Sequence, residues 1–209
     1  MMQIHHIREN YTKSSLSETE VNQNPITQFN KWLEEALASQ VLEPTAFTLC
    51  TTGKDLSPSG RIVLLKYVEA DGFVFFTNYN SHKGQDISYN PNVGMVFFWP
   101  ELQRQVNIQG VIEKTPSSVS DEYFYSRPIE SQIGAVASNQ SAVINSREEL
   151  EQKIKVISES LKIERPANWG GYKIIPSRIE FWQGRANRVH DRIVFSKENH
   201  SWNINRLSP

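Results

Sequence analysis

The chain has 209 residues, enough for one large domain or two small ones, and its 22 Lys and Arg against 23 Asp and Glu leave a net charge of −1. That balance excludes a protein whose main task is to grip nucleic acid through a global basic field, while leaving room for a local basic pocket. Five Trp, seven Tyr and ten Phe exclude a disordered chain, and the lone Cys50 excludes an intramolecular disulfide framework.

The first residues lack the apolar core of a signal peptide. The longest apolar run, Val93–Trp99, is too short to span a membrane, so the chain reads as soluble and cytoplasmic. Residues 1–23 are polar and read as a mobile arm, too poor in large apolar side chains to build core. Asn24-Pro25 then opens a helix, with Asn as cap and Pro at the first helical position. Ile26, Phe29, Leu33, Ala36 and Leu37 share its apolar face.

From Thr45 the period changes to that of strands. Ala46–Thr52 is the first, Gly53–Gly60 a turn, and Arg61–Glu69 a strongly apolar second strand. Ala70-Asp71-Gly72 turns the chain into Phe73–Asn78. Ser81 caps a short helix to Tyr89, and Val93–Trp99 and Gln103–Lys114 are further strands. Short strands joined mostly by tight turns predict an antiparallel sheet or barrel. Three helices follow. Ser118 and Asp121 precede the first, Ile129–Ser138 holds the second, and Ser146 with Glu149 boxes the third, which runs to about Lys162. Its stripe of Leu150, Ile154, Ile157 and Leu161 is expected to face the core. Tyr172–Ile175, Arg178–Arg185, Arg192–Lys197 and Ser201–Leu207 complete the strands, with a hairpin tip at Lys197–His200. The reading is one domain, 1–209, mainly β with peripheral helices (α+β).

Alternation along Gln103–Glu113 puts Val106 and Ile108 on one face and Gln103, Gln105, Asn107 and Gln109 on the other. Such a row of amides is either a solvated outer face or a surface for a flat hydrogen-bonding ligand, such as the dione edge of a flavin. Arg61 and Lys66 differ by five, so an unbroken strand would aim them at opposite faces. Ser81-His82-Lys83 stands at a helix start, where free N–H groups favour a phosphate. Arg185–Arg192 packs three Arg, one His and one Asp into eight residues, and Arg188 and His190 would share a strand face. Each of these, taken alone, is more often a surface charge. No second His or Cys lies at ligand spacing there, so no metal is expected.

Several pieces in fixed order carry a resemblance. They are Arg61–Lys66, Arg104-Gln105-Val106, Ser126-Arg127-Pro128, Ser131–Ala135, Gln140-Ser141, Trp169-Gly170-Gly171, Ile179–Gly184, Arg188–Arg192 and Arg206-Leu207. Together they make the chain resemble pyridoxamine 5'-phosphate oxidase over nearly its whole length. The resemblance implies an antiparallel split β-barrel, FMN as cofactor, and a homodimer with FMN bound between subunits. By matched position, Arg61, Ile62, Val63, Leu64, Leu65, Lys66, Phe76, Thr77, His82, Lys83, Gln105, Gln140, Ser141, Trp182 and Arg192 would surround FMN. Lys66, Tyr123, Arg127, Ser131, Arg188 and His190 would hold the substrate, the last two as catalytic residues, while Arg8 and Tyr11 match an arm that closes over the site. Two positions depart from the family near the cofactor. His82 stands where Arg is usual, which weakens one phosphate contact whenever the imidazole is neutral, and Phe76 stands where Tyr is usual.

The activity implied is oxidation of pyridoxamine or pyridoxine 5'-phosphate to pyridoxal 5'-phosphate, with O2 as acceptor and hydrogen peroxide as product. Ammonia is released from the amine substrate. The rivals are another split-barrel FMN oxidoreductase, a non-catalytic flavin or B6-vitamer binder, and a nucleic-acid-binding barrel. Tyr123, Arg127 and Ser131 together speak against the first, retention of Arg188 and His190 against the second, and the neutral charge against the third. A flavin spectrum separates the flavin readings from the last.

Overall fold

In the computed structural model, residues 1–6, 9–199 and 201–209 are described. The strands are β1 (Ala46–Thr52), β2 (Pro58–Leu64), β3 (Tyr67–Glu69), β4 (Gly72–Asn78), β5 (Asn92–Trp99), β6 (Arg104–Lys114), β7 (Trp169–Gln183), β8 (Asp191–Glu198) and β9 (Ser201–Arg206). The helices are α1 (Pro25–Ala38), α2 (His82–Tyr89), α3 (Ser117–Ser126), α4 (Ile129–Ala137) and α5 (Arg147–Ser158). The strands follow the order β2-β1-β5-β6-β7-β4-β3, with β8 on β7 and β9 on β8. The β3–β4, β4–β7, β7–β8 and β8–β9 ladders are antiparallel, as short strands joined mostly by tight turns predict. Among the described residues no helix is long and apolar enough to cross a membrane.

The chain divides into two compact units. The first comprises Met1–Thr48, Gly94–Gly110 and Pro176–Pro209. Its core is aromatic: Phe29 lies 5.0 Å from Phe97, Trp32 5.1 Å from Phe181, and Phe181 5.6 Å from Phe195. Asn24 caps α1 as its sequence predicts, accepting from the N–H groups of Ile26 and Thr27. The buried face is rotated from the expected one, however. Trp32 is buried and Leu37 is exposed, because the larger ring takes the place against Phe181.

Residues 11–21 overturn the reading of the whole arm as too polar to build core. Leu16 and Val21 are buried within the first unit. The Leu16 N–H donates to Asp191 Oδ2, Glu18 pairs with Arg206, and the N–H groups of Thr12 and Lys13 both donate to Gln103 Oε1. A Cβ at Gly184 would stand 2.5 Å from the Tyr11 ring, so only glycine admits that ring. Two apolar side chains suffice to anchor a polar segment when its backbone groups find partners. Deleting residues 1–23 should therefore cost about 3–6 kcal/mol for those two side chains. The melting temperature should drop by about 10 °C or more. Deleting residues 1–9 should leave it unchanged. Equal melting of both truncations in a thermal scan would refute this anchoring.

The second unit comprises Leu49–Val93 and Val111–Ile175. Phe73, Val74 and Ile174 are fully buried on the β4–β7 ladder, where Phe73 opposes Ile174. Three expectations are corrected. The strand expected over Arg61–Glu69 breaks after Leu64, because Leu65 turns inward to burial and the Lys66 N–H bonds to Val74 O at 2.8 Å. The two strands expected on either side of Pro176 are one, β7. Pro176 falls between the β4 ladder, which ends at Ile174, and the β8 ladder, which starts at Arg178, so its missing N–H breaks neither. Finally, α5 stops at Ser158 and buries no residue. Leu150 and Ile157 are only half covered, Ile154 and Leu161 are exposed, and charged neighbours keep the helix in water.

Candidate functional site

The expected site residues sort into two groups, one in each unit. In the second unit, Arg61, Ile62, Val63, Leu64, Lys66, Phe76, Thr77, Lys83, Tyr123, Arg127 and Gln140 line one cavity of about 440 Å³. The break between β2 and β3 explains why Arg61 and Lys66 share it. Strand alternation does not survive the turn at Leu65, so the expectation of opposite faces fails.

The cavity's charges are lopsided. Arg61, Lys66, Lys83 and Arg127 line it, and among the described lining residues there is no Asp or Glu. The Lys83 ammonium is buried, 3.1 Å from Gln140 Oε1, 3.3 Å from Thr77 Oγ1 and 3.4 Å from Ser81 Oγ, all neutral acceptors. Burial, and secondarily repulsion from Arg61, holds this amine below the ordinary lysine range. Arg127 is likewise pulled down by burial, and its Nη1 is buried with no hydrogen-bond partner among the described residues. A buried cationic nitrogen without an acceptor costs free energy unless an anion arrives. Arg61 is held by its neighbours, donating through Nη1 to Thr51 Oγ1 (2.5 Å) and Leu49 O (3.3 Å), and through Nη2 to Ser59 Oγ (2.6 Å).

The same cavity has an aromatic side. The Phe76 ring stacks on Tyr123 at 3.9 Å and 21°, and on Trp169 at 5.8 Å and 16°, with the Arg127 guanidinium 4.8 Å over Trp169. Sequence reasoning quoted Trp169 only as part of a motif. Its position opening β7 beside a Gly-Gly pair was the available signal. Asn78, Gly134, Ala135 and Ser138 also line the cavity and were missed. Ser131 does not line it, although it precedes Gly134 and Ala135 by one turn of α4 on the same face. Leu65 is buried in the fold instead. His82 and Ser141 line a second cavity of about 330 Å³, which shares Asn78 and Gln140 with the first.

In the first unit, Tyr11, Arg188 and His190 line a cavity of about 750 Å³ with Arg185 and Asn187. Arg188 and His190 do not sit on a strand. They belong to a turn before β8 in which Asn187 (φ 56°) and Arg188 (φ 63°) are both left-handed. Strained non-glycine pairs of this kind concentrate at functional sites. His190 Nδ1 accepts the Arg185 N–H at 3.1 Å, which leaves the neutral ring's proton on Nε2. Its ring lies 4.6 Å from Trp182 and 5.9 Å from Tyr11. Burial, then the charge of Arg188, pushes its pKa below the ordinary histidine value. Arg192 is committed to Glu180 Oε1 (2.7 Å) and Ser208 O (2.9 Å), and Gln105 stands half-buried on β6. Arg8 lies outside the described residues.

Chemically, the second unit's cavity suits a flat molecule with a phosphate, and the first unit's turn offers a guanidinium beside a neutral imidazole donor. The sequence model of pyridoxamine 5'-phosphate oxidase matches residues 33–160, and that of the pyridoxine 5'-phosphate oxidase C-terminal dimerisation region matches residues 169–209. A protein named pyridoxine/pyridoxamine 5'-phosphate oxidase from Nostoc sp. is 55% identical over 97% of both chains. Another of that name, from Burkholderia lata, is 50% identical over 97% of both. The solved structure of PhzG from Burkholderia lata 383, in complex with tetrahydrophenazine-1-carboxylic acid, is similar at a TM-score of 0.88 and 26% identity, covering 91% of this chain and 95% of that one. A pyridoxamine 5'-phosphate oxidase-related, FMN binding protein from Nostoc punctiforme shares the fold at a TM-score of 0.71 and 13% identity, covering 87% and 97%. The antiparallel split-barrel class is thereby borne out.

Proposed function

The chain belongs to the pyridoxamine 5'-phosphate oxidase family, and from that premise we propose that it oxidises pyridoxine and pyridoxamine 5'-phosphates to pyridoxal 5'-phosphate as an FMN-dependent homodimer. The observation that carries this reading is the cavity with four cations, no carboxylate in its described lining, and an aromatic stack. Those cations fit two phosphates better than a single carboxylate, which favours phosphorylated B6 vitamers over a ligand like that of the PhzG complex. The orphaned Arg127 Nη1 and the Lys83 ammonium, buried among neutral acceptors, fit FMN and substrate phosphates in the same way. FMN, when bound, would supply the two-electron acceptor for oxidation at the substrate's C4' carbon, with O2 as the final acceptor and hydrogen peroxide as the product.

The protein's own contribution is positioning. Arg61 and Lys83 hold the FMN phosphate, with Thr77 and Gln140 orienting the ammonium. Lys66, Tyr123 and Arg127 clamp the substrate phosphate, whose binding energy holds the reacting carbon in place. Arg188 lies against the pyridine ring, and His190 Nε2–H donates a hydrogen bond to the substrate. FMN would bind between subunits of the homodimer. The test is peroxide release on adding pyridoxine 5'-phosphate to FMN-loaded protein. A flavin-loaded protein that oxidises neither B6 phosphate would overturn the proposal.

The state of His190 gives a pH prediction. Its neutral form accepts the Arg185 N–H, and a protonated ring would set two donors against each other. The pKa is depressed below the ordinary ~6.5. Turnover should therefore be flat above pH ~6.5 and fall as pH drops through the lowered value. His190→Gln should remove that acid limb at a reduced plateau. An unchanged limb in the variant would assign it to another group.

A further inference from the structure

His82 was expected beside the FMN phosphate, but its surroundings differ from those of a direct phosphate ligand. Its side chain is 65% exposed, and it lines the smaller cavity with Asn80 and Gln85 rather than the adjoining cavity of Arg61 and Lys83. Its Nδ1 lies 3.5 Å from Asp86 Oδ2, one turn along α2. Asp86 is buried, and the same Oδ2 accepts the Thr51 hydroxyl at 2.6 Å and lies 3.7 Å from Arg61 Nη2. Thr51 in turn accepts from Arg61 Nη1 at 2.5 Å. A Cβ at Gly53 would stand 2.9 Å from Asp86 Oδ1, so the β1–β2 turn leaves room for this carboxylate.

We infer that His82 and Asp86 form a charge-setting pair for Arg61, and that His82 acts on a bound phosphate through Asp86 rather than by touching it. The inference rests on reading the Arg61 cavity as the FMN phosphate site. With His82 neutral, Asp86 spends its charge on Arg61 and repels a nearby phosphate. With His82 protonated, the imidazolium shares that carboxylate, and more of the Arg61 charge reaches the anion. The charged groups around this pair are Asp55, whose charge faces His82 from the β1–β2 turn, Arg61 on β2, and Lys83, which faces Arg61 from α2. Asp86 is thus a positioning residue, separated from the ligand by Arg61.

The test is FMN affinity by flavin-fluorescence quenching from about pH 6.5 to 9, above most of the phosphate's own titration near ~6. Wild type, Asp86→Asn, His82→Gln and the double variant are compared, and the rise kept by the double variant, the part owed to Lys83, is subtracted from each. Wild-type Kd should rise about two- to fivefold with rising pH, the range of a partly exposed ion pair. That rise should vanish in both single variants. Asp86→Asn should bind FMN at least as tightly as wild type at pH 9, because the amide still accepts from Thr51 without the charge. If Asp86→Asn melts well below wild type, Asp86→Ser takes its place. A wild-type rise retained without the Asp86 carboxylate would show His82 acting directly and overturn the inference, as would a rise retained in His82→Gln. A wild-type protein that takes up no FMN at any pH would instead overturn the cofactor reading beneath it.

Discussion

Lys83→Met is expected to strip the protein of FMN while raising the melting temperature of the apoprotein. The two effects have one cause. The ammonium is buried among three neutral acceptors, beside a second cation that repels it. An apolar chain of similar length removes the desolvation penalty. The acceptors keep other partners, since Thr77 Oγ1 donates to Gln140 Oε1 and Ser81 Oγ to Asn78 O. The cofactor phosphate then loses a buried charge-assisted partner, a loss of about 2–5 kcal/mol, or roughly thirtyfold to several-thousandfold in Kd. The pH dependence carries the opposite signs for the two states. The unfolded chain holds the lysine proton up to its ordinary ~10.5, and the folded apoprotein releases it earlier. Apoprotein stability therefore rises as pH climbs through the lowered value toward ~10.5. FMN affinity falls in the same window, because binding restores the ammonium. Paired thermal melts and FMN titrations check both. A variant that keeps wild-type FMN affinity would remove Lys83 from the cofactor site.

Arg188→Ala should keep FMN and the fold but lose turnover with pyridoxine 5'-phosphate by on the order of tenfold or more, if misplacing the ring costs ~1.4 kcal/mol. Arg188 is exposed, and its backbone is left-handed beside a second left-handed residue, Asn187. Alanine inherits that strain, so stability should barely move. Arg188→Gly relieves it and should gain about 1 kcal/mol while remaining as slow as Arg188→Ala. Such a split, in which the more stable protein is the poorer enzyme, would mark the strain as serving the site. Peroxide release and flavin content are measured on the same samples. Wild-type turnover in Arg188→Ala refutes the catalytic assignment, and loss of flavin moves Arg188 to the cofactor.

Local signals were legible wherever one residue's chemistry decides a boundary. Asn24 with Pro25 started α1, and Ser81 started α2 by accepting the Gly84 N–H. The alternation of β6 was legible too, with Val106 and Ile108 buried between the half-buried Gln105 and Asn107 and the exposed Gln109. What escaped depends on contacts distant in sequence. Apolarity alone could not reveal that Leu65 turns inward and breaks a strand, which then brings Arg61 and Lys66 into one cavity. Nor does RANRVHDR contain a glycine to announce two left-handed residues. The aromatic stack needed three segments, from β4, α3 and β7, to meet. Leu16 and Val21 were hidden by the polarity of their neighbours, although two apolar anchors were enough.

With phosphates held by the cations of the second unit's cavity, the FMN-loaded protein is expected to oxidise phosphorylated B6 vitamers. The most direct test is hydrogen peroxide released per bound FMN when pyridoxine 5'-phosphate, and in parallel unphosphorylated pyridoxine, is added in air. A yellow protein with about one FMN per chain is expected. It should release many peroxide molecules per FMN from the phosphorylated substrate and few from pyridoxine. Equal turnover of the two would contradict the phosphate clamp, and no peroxide from the phosphorylated substrate in a fully flavin-loaded sample would contradict the oxidase itself.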